Sequence, residues 1–369
     1  MDFDLTEEMA AVRDLSARIL GDLATVERLA ALPEPIDRDA WTQFAQAGLL
    51  AVALPEQDGG AGLGFLAAHV VLEEIGRAAA PVPFWETIVL GALPVAHFGS
   101  EQQRRDILPG VLAGERLLTA ALVEEGPGDP ATLRTRAART DAGWELSGAK
   151  TAVPLAPLAD HILIPAVTED GAVGVWLVAR AAAGVEVRQQ DVITGWSYGE
   201  MTLERVAVGP EALLGPCDGT VLDWLLDHAA AGIASMTAGA CAAALRLAAD
   251  YTSRREQFGR PVATFQAVAQ RVADAYIDTE GVALTALQAA WRLTEGLPAR
   301  DEVAIAKWWA SEAGHRVLHA SGHVHGGVGI DRDYPLHRYF ALAKQLEFSL
   351  GGATVQLLRI GAALAAEPA

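Results

Sequence analysis

The sequence predicts an α+β fold in three blocks: helical, then β, then helical. Two changes of texture and one compositional fact predict it. Apolar residues recur at helical spacing through the first and last thirds, while short runs bounded by turn residues fill the middle. Hydrophobic residues make up 51% and charged residues 20% of 369 positions, a globular balance that demands a large interior and is far from disordered chains. At roughly 100–200 residues per domain, that length suggests two or three domains. They are read as a helical domain 1–117, a small β-barrel or sheet domain 118–214 and a four-helix bundle 215–369. Strands and helices do not alternate, which excludes a doubly wound nucleotide-binding sheet.

The N-terminal helices fall at 5–20, 38–48, 64–79, 85–97 and 101–113, separated by breakers such as Leu54-Pro55 and the glycine-rich run 58–62. From about Leu118 strand-like runs follow at 132–140, 144–148, 161–167, 173–179, 185–189 and 201–208, the first two joined by the turn Asp141-Ala142-Gly143. After Gly215-Pro216, long helical patterns return at 220–253, 264–294, 301–322 and 336–364. The apolar stretch 229–249 is about long enough to cross a bilayer, but it is mostly alanine, contains Gly232, Thr237 and Gly239, and is bordered by His228 and Arg246. It reads as a buried helix, and no membrane span is expected.

Lys plus Arg number 28 against 47 Asp plus Glu, a net charge of −19, so a general attraction to nucleic acid or an anionic membrane is not expected. Any bound phosphate must meet a local cluster. The acidic, amphipathic N-terminus lacks the basic-then-apolar pattern of a signal peptide. Cys217 and Cys241 form no CxxC pair and read as small buried apolar residues in a reducing compartment. Cytoplasm is the expected location.

Two clusters carry candidate chemistry. The first, Tyr251-Thr252-Ser253-Arg254-Arg255-Glu256-Gln257-Phe258-Gly259-Arg260-Pro261, places three arginines within seven residues at the end of a long helix. It reads either as an anion site suited to a pyrophosphate or as a solvated helix end whose charge offsets the macrodipole. The second is His323-Val324-His325-Gly326-Gly327-Val328-Gly329. Its glycines let backbone approach a ligand, and its histidines have the look of a metal pair without a third ligand; a turn with flexible backbone is the plainer reading.

Taken together, the motifs resemble the acyl-CoA dehydrogenase family along nearly the whole chain. They include Gly48-Leu49-Leu50, Leu54-Pro55-Glu56 and Gly59-Gly60; Glu73-Glu74-Ile75-Gly76-Arg77; Gly99-Ser100-Glu101-Gln102-Gln103; and Leu108-Pro109 with Gly114-Glu115. Later come Leu146-Ser147-Gly148-Ala149-Lys150, Ala159-Asp160, Phe265-Gln266 after the arginine cluster, and Tyr334-Pro335 after the glycine turn. The resemblance implies an acyl-CoA dehydrogenase-like fold and FAD as cofactor. It also implies α,β-dehydrogenation of an acyl-CoA thioester, in which a glutamate removes the α proton and FAD takes the β hydrogen.

Departures from the family pattern are as informative as the matches. The two usual positions of that glutamate correspond to Gly351 and Ala229, so both appear vacant; Asp227, His228 and Glu347 are the nearest candidates for a relocated base. On the isoalloxazine side, Val123-Glu124-Glu125-Gly126-Pro127-Gly128-Asp129 and Ala152-Val153-Pro154 replace a Thr-Glu-Pro-x-x-Gly-Ser segment and a Trp-Ile-Thr segment. A hydroxyl, an aromatic ring and a backbone donor are thereby lost. By contrast Arg255, Gln257 and Phe258 match the pyrophosphate motif that a chain extends to its neighbour's cofactor, and Gly326 and Gly327 match the adenosine-side turn. His323 stands where the family has glutamine.

A chain that keeps the contacts it lends and loses the ones it uses resembles the β-type, base-lacking subunit of heteromeric acyl-CoA dehydrogenases. That implies a homologous catalytic partner in a two-plus-two heterotetramer, an electron-transfer acceptor, and bulky substrates such as steroid side-chain thioesters. The alternatives are a homomeric dehydrogenase with a relocated base, a flavin enzyme of the same fold with different chemistry, and a non-catalytic acyl-CoA-binding or scaffold homologue.

Overall fold

Four of the N-terminal helices begin where side chains satisfy their free amides. Thr6 accepts from the Met9 amide at the start of α1 (Glu7–Leu23), and Asp37 accepts from that of Ala40 at α3 (Arg38–Gln46), after the short α2 (Val26–Ala30). Beyond α4 (Gly64–Ala78) and α5 (Leu93–Phe98), Ser100 and Gln103 form a reciprocal capping box on α6 (Glu101–Leu112). The computed structural model describes residues 4–126 and 129–366.

The expected order of helices, strands and helices is observed. Strands β1 (Leu118–Ala120), β2 (Arg136–Thr140), β3 (Gly143–Pro154), β4 (His161–Thr168), β5 (Val173–Ala179), β6 (Val185–Gln189) and β7 (Tyr198–Val208) form one mixed sheet. Its order is β1-β4-β2-β3-β7-β6, with β5 antiparallel to β4. Trp144, Leu146, Ile164, Trp176, Met201 and Val206 fill its core. The pairing of β3 with β7 slips between Lys150 and Val153, so Thr151 and Ala152 bulge out of the ladder.

Then come α7 (Thr220–Arg254), the two-residue strands β8 (Glu256–Gln257) and β9 (Arg260–Pro261), α8 (Gln266–Thr294), α9 (Arg300–His325), α10 (Leu336–Phe348) and α11 (Ala353–Ala366). Two expectations need correction. The pattern read as one helix over 336–364 is two helices, because Leu350 (φ +58°) and Gly351 (φ +90°) take the left-handed conformation and end the first. Among the described residues, five α-helices therefore follow Gly219. The segment read as a helix over 85–97 starts as the π-helical stretch Trp85–Ala92, wholly buried, before α5. The apolar stretch 229–249 lies inside α7, most of it buried.

Two compact units interleave along the chain. One takes the residues up to Pro33, His69–Ala80 and those from Ala230 on; the other takes Glu34–Ala68 and Pro81–Ala229. The first, a helical unit, centres on Cys241, Ala244, Ala275, Val317, Leu318 and Leu336. Its α4 and α7 meet backbone to backbone: a Cβ on Gly76 would strike the Met236 carbonyl, and one on Gly239 the Glu73 carbonyl. Beside that contact buried His69 donates from Nδ1 to Ser235 Oγ at 2.8 Å, and burial pushes its pKa down to about 4. The second unit holds the sheet.

Candidate functional site

In the helical unit, α7 runs straight into the β8–β9 hairpin. Phe258 (φ +55°) and Gly259 (φ +76°) form its two-residue turn, both left-handed, as a type I′ turn requires. Phe258 is the costly one. A non-glycine residue in that region stores about 1–3 kcal/mol of strain, and here it holds an aromatic ring 93% exposed. The Arg255 amide donates to the Tyr251 carbonyl at 2.9 Å and the Arg255 carbonyl accepts from Val262 at 2.7 Å. Its backbone is therefore fixed, while its exposed guanidinium makes no hydrogen bond or ion pair among the described residues. Arg260 instead lies over the Phe265 ring at 4.1 Å. The exposed Gln257 side chain donates to the Glu256 carbonyl at 2.8 Å.

The glycine turn follows α9. Gly326 (φ +60°) and Gly327 are exposed, and a Cβ on either would meet nothing within 4 Å. His323 is exposed. His325 is buried, with Nδ1 2.7 Å from the Ser321 carbonyl and Nε2 3.0 Å from the Tyr334 hydroxyl. The two histidines that looked like a metal pair therefore do not converge.

The ring-side residues lie in the other unit and behave differently. The Ala152 amide, on the β3 bulge at φ +48°, donates to Gln190 Oε1 at 2.9 Å. Pro154 has no amide hydrogen, and the Thr151 amide is bound to the Val123 carbonyl at 2.9 Å. Glu124 is fully engaged: Oε1 accepts from Lys150 Nζ (2.7 Å) and Thr135 Oγ1 (2.6 Å), and Oε2 from the Arg134 amide (2.5 Å). Burial alone would raise its pKa, but the bonds from Lys150 and Thr135 hold it below the usual carboxylate range. Glu125 is exposed, and Pro127 and Gly128 lie outside the described residues.

The candidate base positions and their neighbours fall as follows. Ala229 is fully buried. At Gly351 the backbone sits at φ +90°, and an added Cβ would lie 2.9 Å from Val355 Cγ1, so any side chain there is strained. Glu347 is half-buried and clamped, 2.8 Å from Lys344 Nζ and 3.2 Å from His315 Nδ1. His228 donates from Nδ1 to the Trp224 carbonyl at 2.8 Å, stacks on the Trp224 ring at 3.5 Å, and is pushed by burial down to about 3. Asp227 is half-buried on α7.

Sequence reasoning passed over three residues that the structure brings forward. Lys307, wholly buried on α9, donates to Ser311 Oγ (2.8 Å) and to the Glu347 and Gly351 carbonyls (3.1 Å each), pinning the turn between α10 and α11. Burial pushes it down to about 7. Glu86, on the π-helical stretch, lines a shallow recess with Trp196 and Ser197 and is pushed up by burial to about 7. Gln190 takes the Ala152 donor. No spacing rule marks any of the three: Lys307 and Gln190 reach partners some forty residues away, and Glu86 is set apart only by its burial.

FAD is the cofactor the resemblance implies, and the residues present fit it on one side. An exposed, unpaired guanidinium on a fixed backbone and an open glycine turn suit a diphosphate and an adenosine. The β-sheet segment offers a flavin ring no free donor at Ala152 or Pro154.

Residues 6–115 match the acyl-CoA dehydrogenase N-terminal domain and residues 218–365 the C-terminal domain. The chain is 41% identical to the acyl-CoA dehydrogenase FadE27 of Mycobacterium tuberculosis, with all of both chains covered. Among solved structures it is similar to the ChsE4-ChsE5 complex of the same organism, at 42% identity and a TM-score of 0.94 over all of both chains. A variant of the Tcur3481-Tcur3483 steroid ACAD matches at 42% identity and a TM-score of 0.92, covering 97% of this chain and 98% of that one.

Proposed function

The chain belongs to the acyl-CoA dehydrogenase family, a family of FAD-dependent oxidoreductases, and from that membership we propose that it serves as the base-lacking subunit of a heteromeric acyl-CoA dehydrogenase. In this reading Arg255, Gln257, Phe258, His323, Gly326 and Gly327 complete the FAD site of a homologous partner that carries the catalytic glutamate. One observation carries it: the ring-side donors are spent inside the chain, whereas the Arg255 guanidinium is exposed and uncommitted. When bound, FAD supplies the two-electron acceptor for α,β-desaturation. This chain's residues neutralise the diphosphate through Arg255 and leave an open backbone beside the adenosine. The similarity to the steroid ACAD structure supports a bulky acyl-CoA substrate, such as a steroid side-chain thioester.

The homomeric alternative needs a base in this chain. Glu347 is held in an ion cluster and His228 is buried, neutral and stacked, which leaves neither poised for proton abstraction. Exposed apolar side chains on α8 and α11, including Ile277, Leu284, Leu357 and Leu364, suit a chain that works within an assembly. Flavin absorbance tests the proposal. The chain expressed alone should purify with little FAD, and co-expression with a homologous subunit from the same gene neighbourhood should give a yellow, active complex. Stoichiometric flavin in the isolated chain would refute it.

A further inference from the structure

We propose that His325 is a positioning residue that locks the Arg255 hairpin and the Gly326-Gly327 turn to each other, so that the two segments present themselves to a cofactor as one surface. The inference rests on the reading of those segments as FAD contacts.

One imidazole lies between the residues that flank them. His325 closes α9, and Gly326 follows it directly. Its Nδ1 proton is fixed by the Ser321 carbonyl at 2.7 Å, which leaves the Nε2 lone pair to accept from the Tyr334 hydroxyl at 3.0 Å. The ring lies against Tyr251, centroids 4.6 Å apart and planes 25° from parallel. Tyr251 is one turn before Arg255, and its carbonyl holds the Arg255 amide at 2.9 Å. A shift of the imidazole therefore moves the residue on which Arg255 rests.

On the other side the turn coils back over the same histidine. A Cβ on Gly329 would lie 2.8 Å from the Gly322 carbonyl and 3.1 Å from His325 Cβ, so there is no slack between the turn and the helix end. Tyr334 fixes the far limit of the turn, its amide donating to the Asp331 carbonyl at 3.2 Å while its hydroxyl reaches His325. With both ring nitrogens used and the side chain buried, His325 is available neither as a metal ligand nor as a proton carrier. Exposed His323, two residues earlier, has no such bonds to lose.

The lock predicts coupling, which simple packing does not. In the co-purified complex, with FAD as titrant, Arg255→Ala should weaken FAD binding about ten- to a hundred-fold and His325→Leu about tenfold. If His325 acts through Arg255, the double variant should bind little worse than Arg255→Ala alone. Losses that multiply would overturn the lock. Hydrogen exchange on the chain by itself gives a readout free of cofactor: in His325→Leu, segments 255–262 and 326–331 should lose protection together. Loss in only one of them would also overturn it. Tyr334→Phe, which removes a single hydroxyl, should shift both segments in the same direction by a smaller amount, and serves if His325→Leu does not fold. Should Arg255→Ala leave FAD binding unchanged, the lending role fails, while the exchange measurement still decides the lock.

Discussion

The β3 bulge and the β8–β9 hairpin make an instructive pair. Each holds a non-glycine residue in the left-handed region, Ala152 in one and Phe258 in the other, and in the proposed reading each corresponds to a cofactor-side segment. They spend their polar groups in opposite ways. The bulge is closed on itself: Gln190 takes the Ala152 amide, Val123 takes the Thr151 amide, and Lys150 with Thr135 saturates Glu124. The hairpin pairs only its backbone and leaves Arg255 and Phe258 to solvent. A segment becomes unavailable to a ligand less by losing particular side chains than by satisfying its remaining donors internally, because a ligand must then break bonds before it makes any.

That contrast can be broken experimentally, and the largest effect should come from the closed side. Lys150→Met strands the Glu124 carboxylate in a buried site and should cost about 3–5 kcal/mol in chemical denaturation, yet survivors assembled with the partner should retain FAD as the parent does. Flavin lost in step with stability would show that the bulge does contact the cofactor. Next comes acid. His69 and His228 are held neutral by burial, at about 4 and about 3, against an ordinary 6.5. The unfolded chain binds those protons first, so stability should fall as pH drops from 6.5 towards 4, by on the order of 3 kcal/mol for His69. Denaturation midpoints at pH 7 and 4.5 check this; His69→Gln should fall less, and an equal fall would assign the loss to other groups.

The open side should respond more mildly but more specifically. Arg255→Ala should forfeit about 1.5–3 kcal/mol of FAD affinity in the complex, whereas Arg254→Ala should change it only a few-fold. Equal effects would mean that the cluster works by general charge alone. Smallest of all, Asp227→Asn and Glu347→Gln should leave turnover of the complex within a few-fold of the parent, since loss of an authentic general base costs about 10²–10⁴-fold. A collapse of turnover with flavin retained at either residue would make this chain a catalyst in its own right.

Much of the fold was legible because helical and strand periods are local. The strand runs at 161–167, 173–179 and 185–189 fall within one residue of β4, β5 and β6. The break at Leu350-Gly351 was not legible: apolar spacing continues across it, and only the left-handed backbone separates α10 from α11. The arginine cluster was visible as residues, but its spacing alone favoured a solvated helix end over an anion site. The difference lies in which guanidinium is spent, with Arg260 over Phe265 and Arg255 free, and that is a contact rather than a pattern. The place of His325 was not legible either, since spacing on a helix end cannot tell a ligand-facing imidazole from one stacked on Tyr251.

The conformation at Gly351 bears on how such a chain could change over generations. A glutamate there would have to overcome a left-handed backbone and the Val355 side chain at once, on a turn that Lys307 holds from beneath. On the proposed reading, a substitution to glutamate there would meet that strain before it supplied a base, so a second change to relieve the strain would be needed as well. Within the heteromeric reading, a gene of this kind is bound to the gene for its partner by a mutational barrier, and the two must be inherited as a pair.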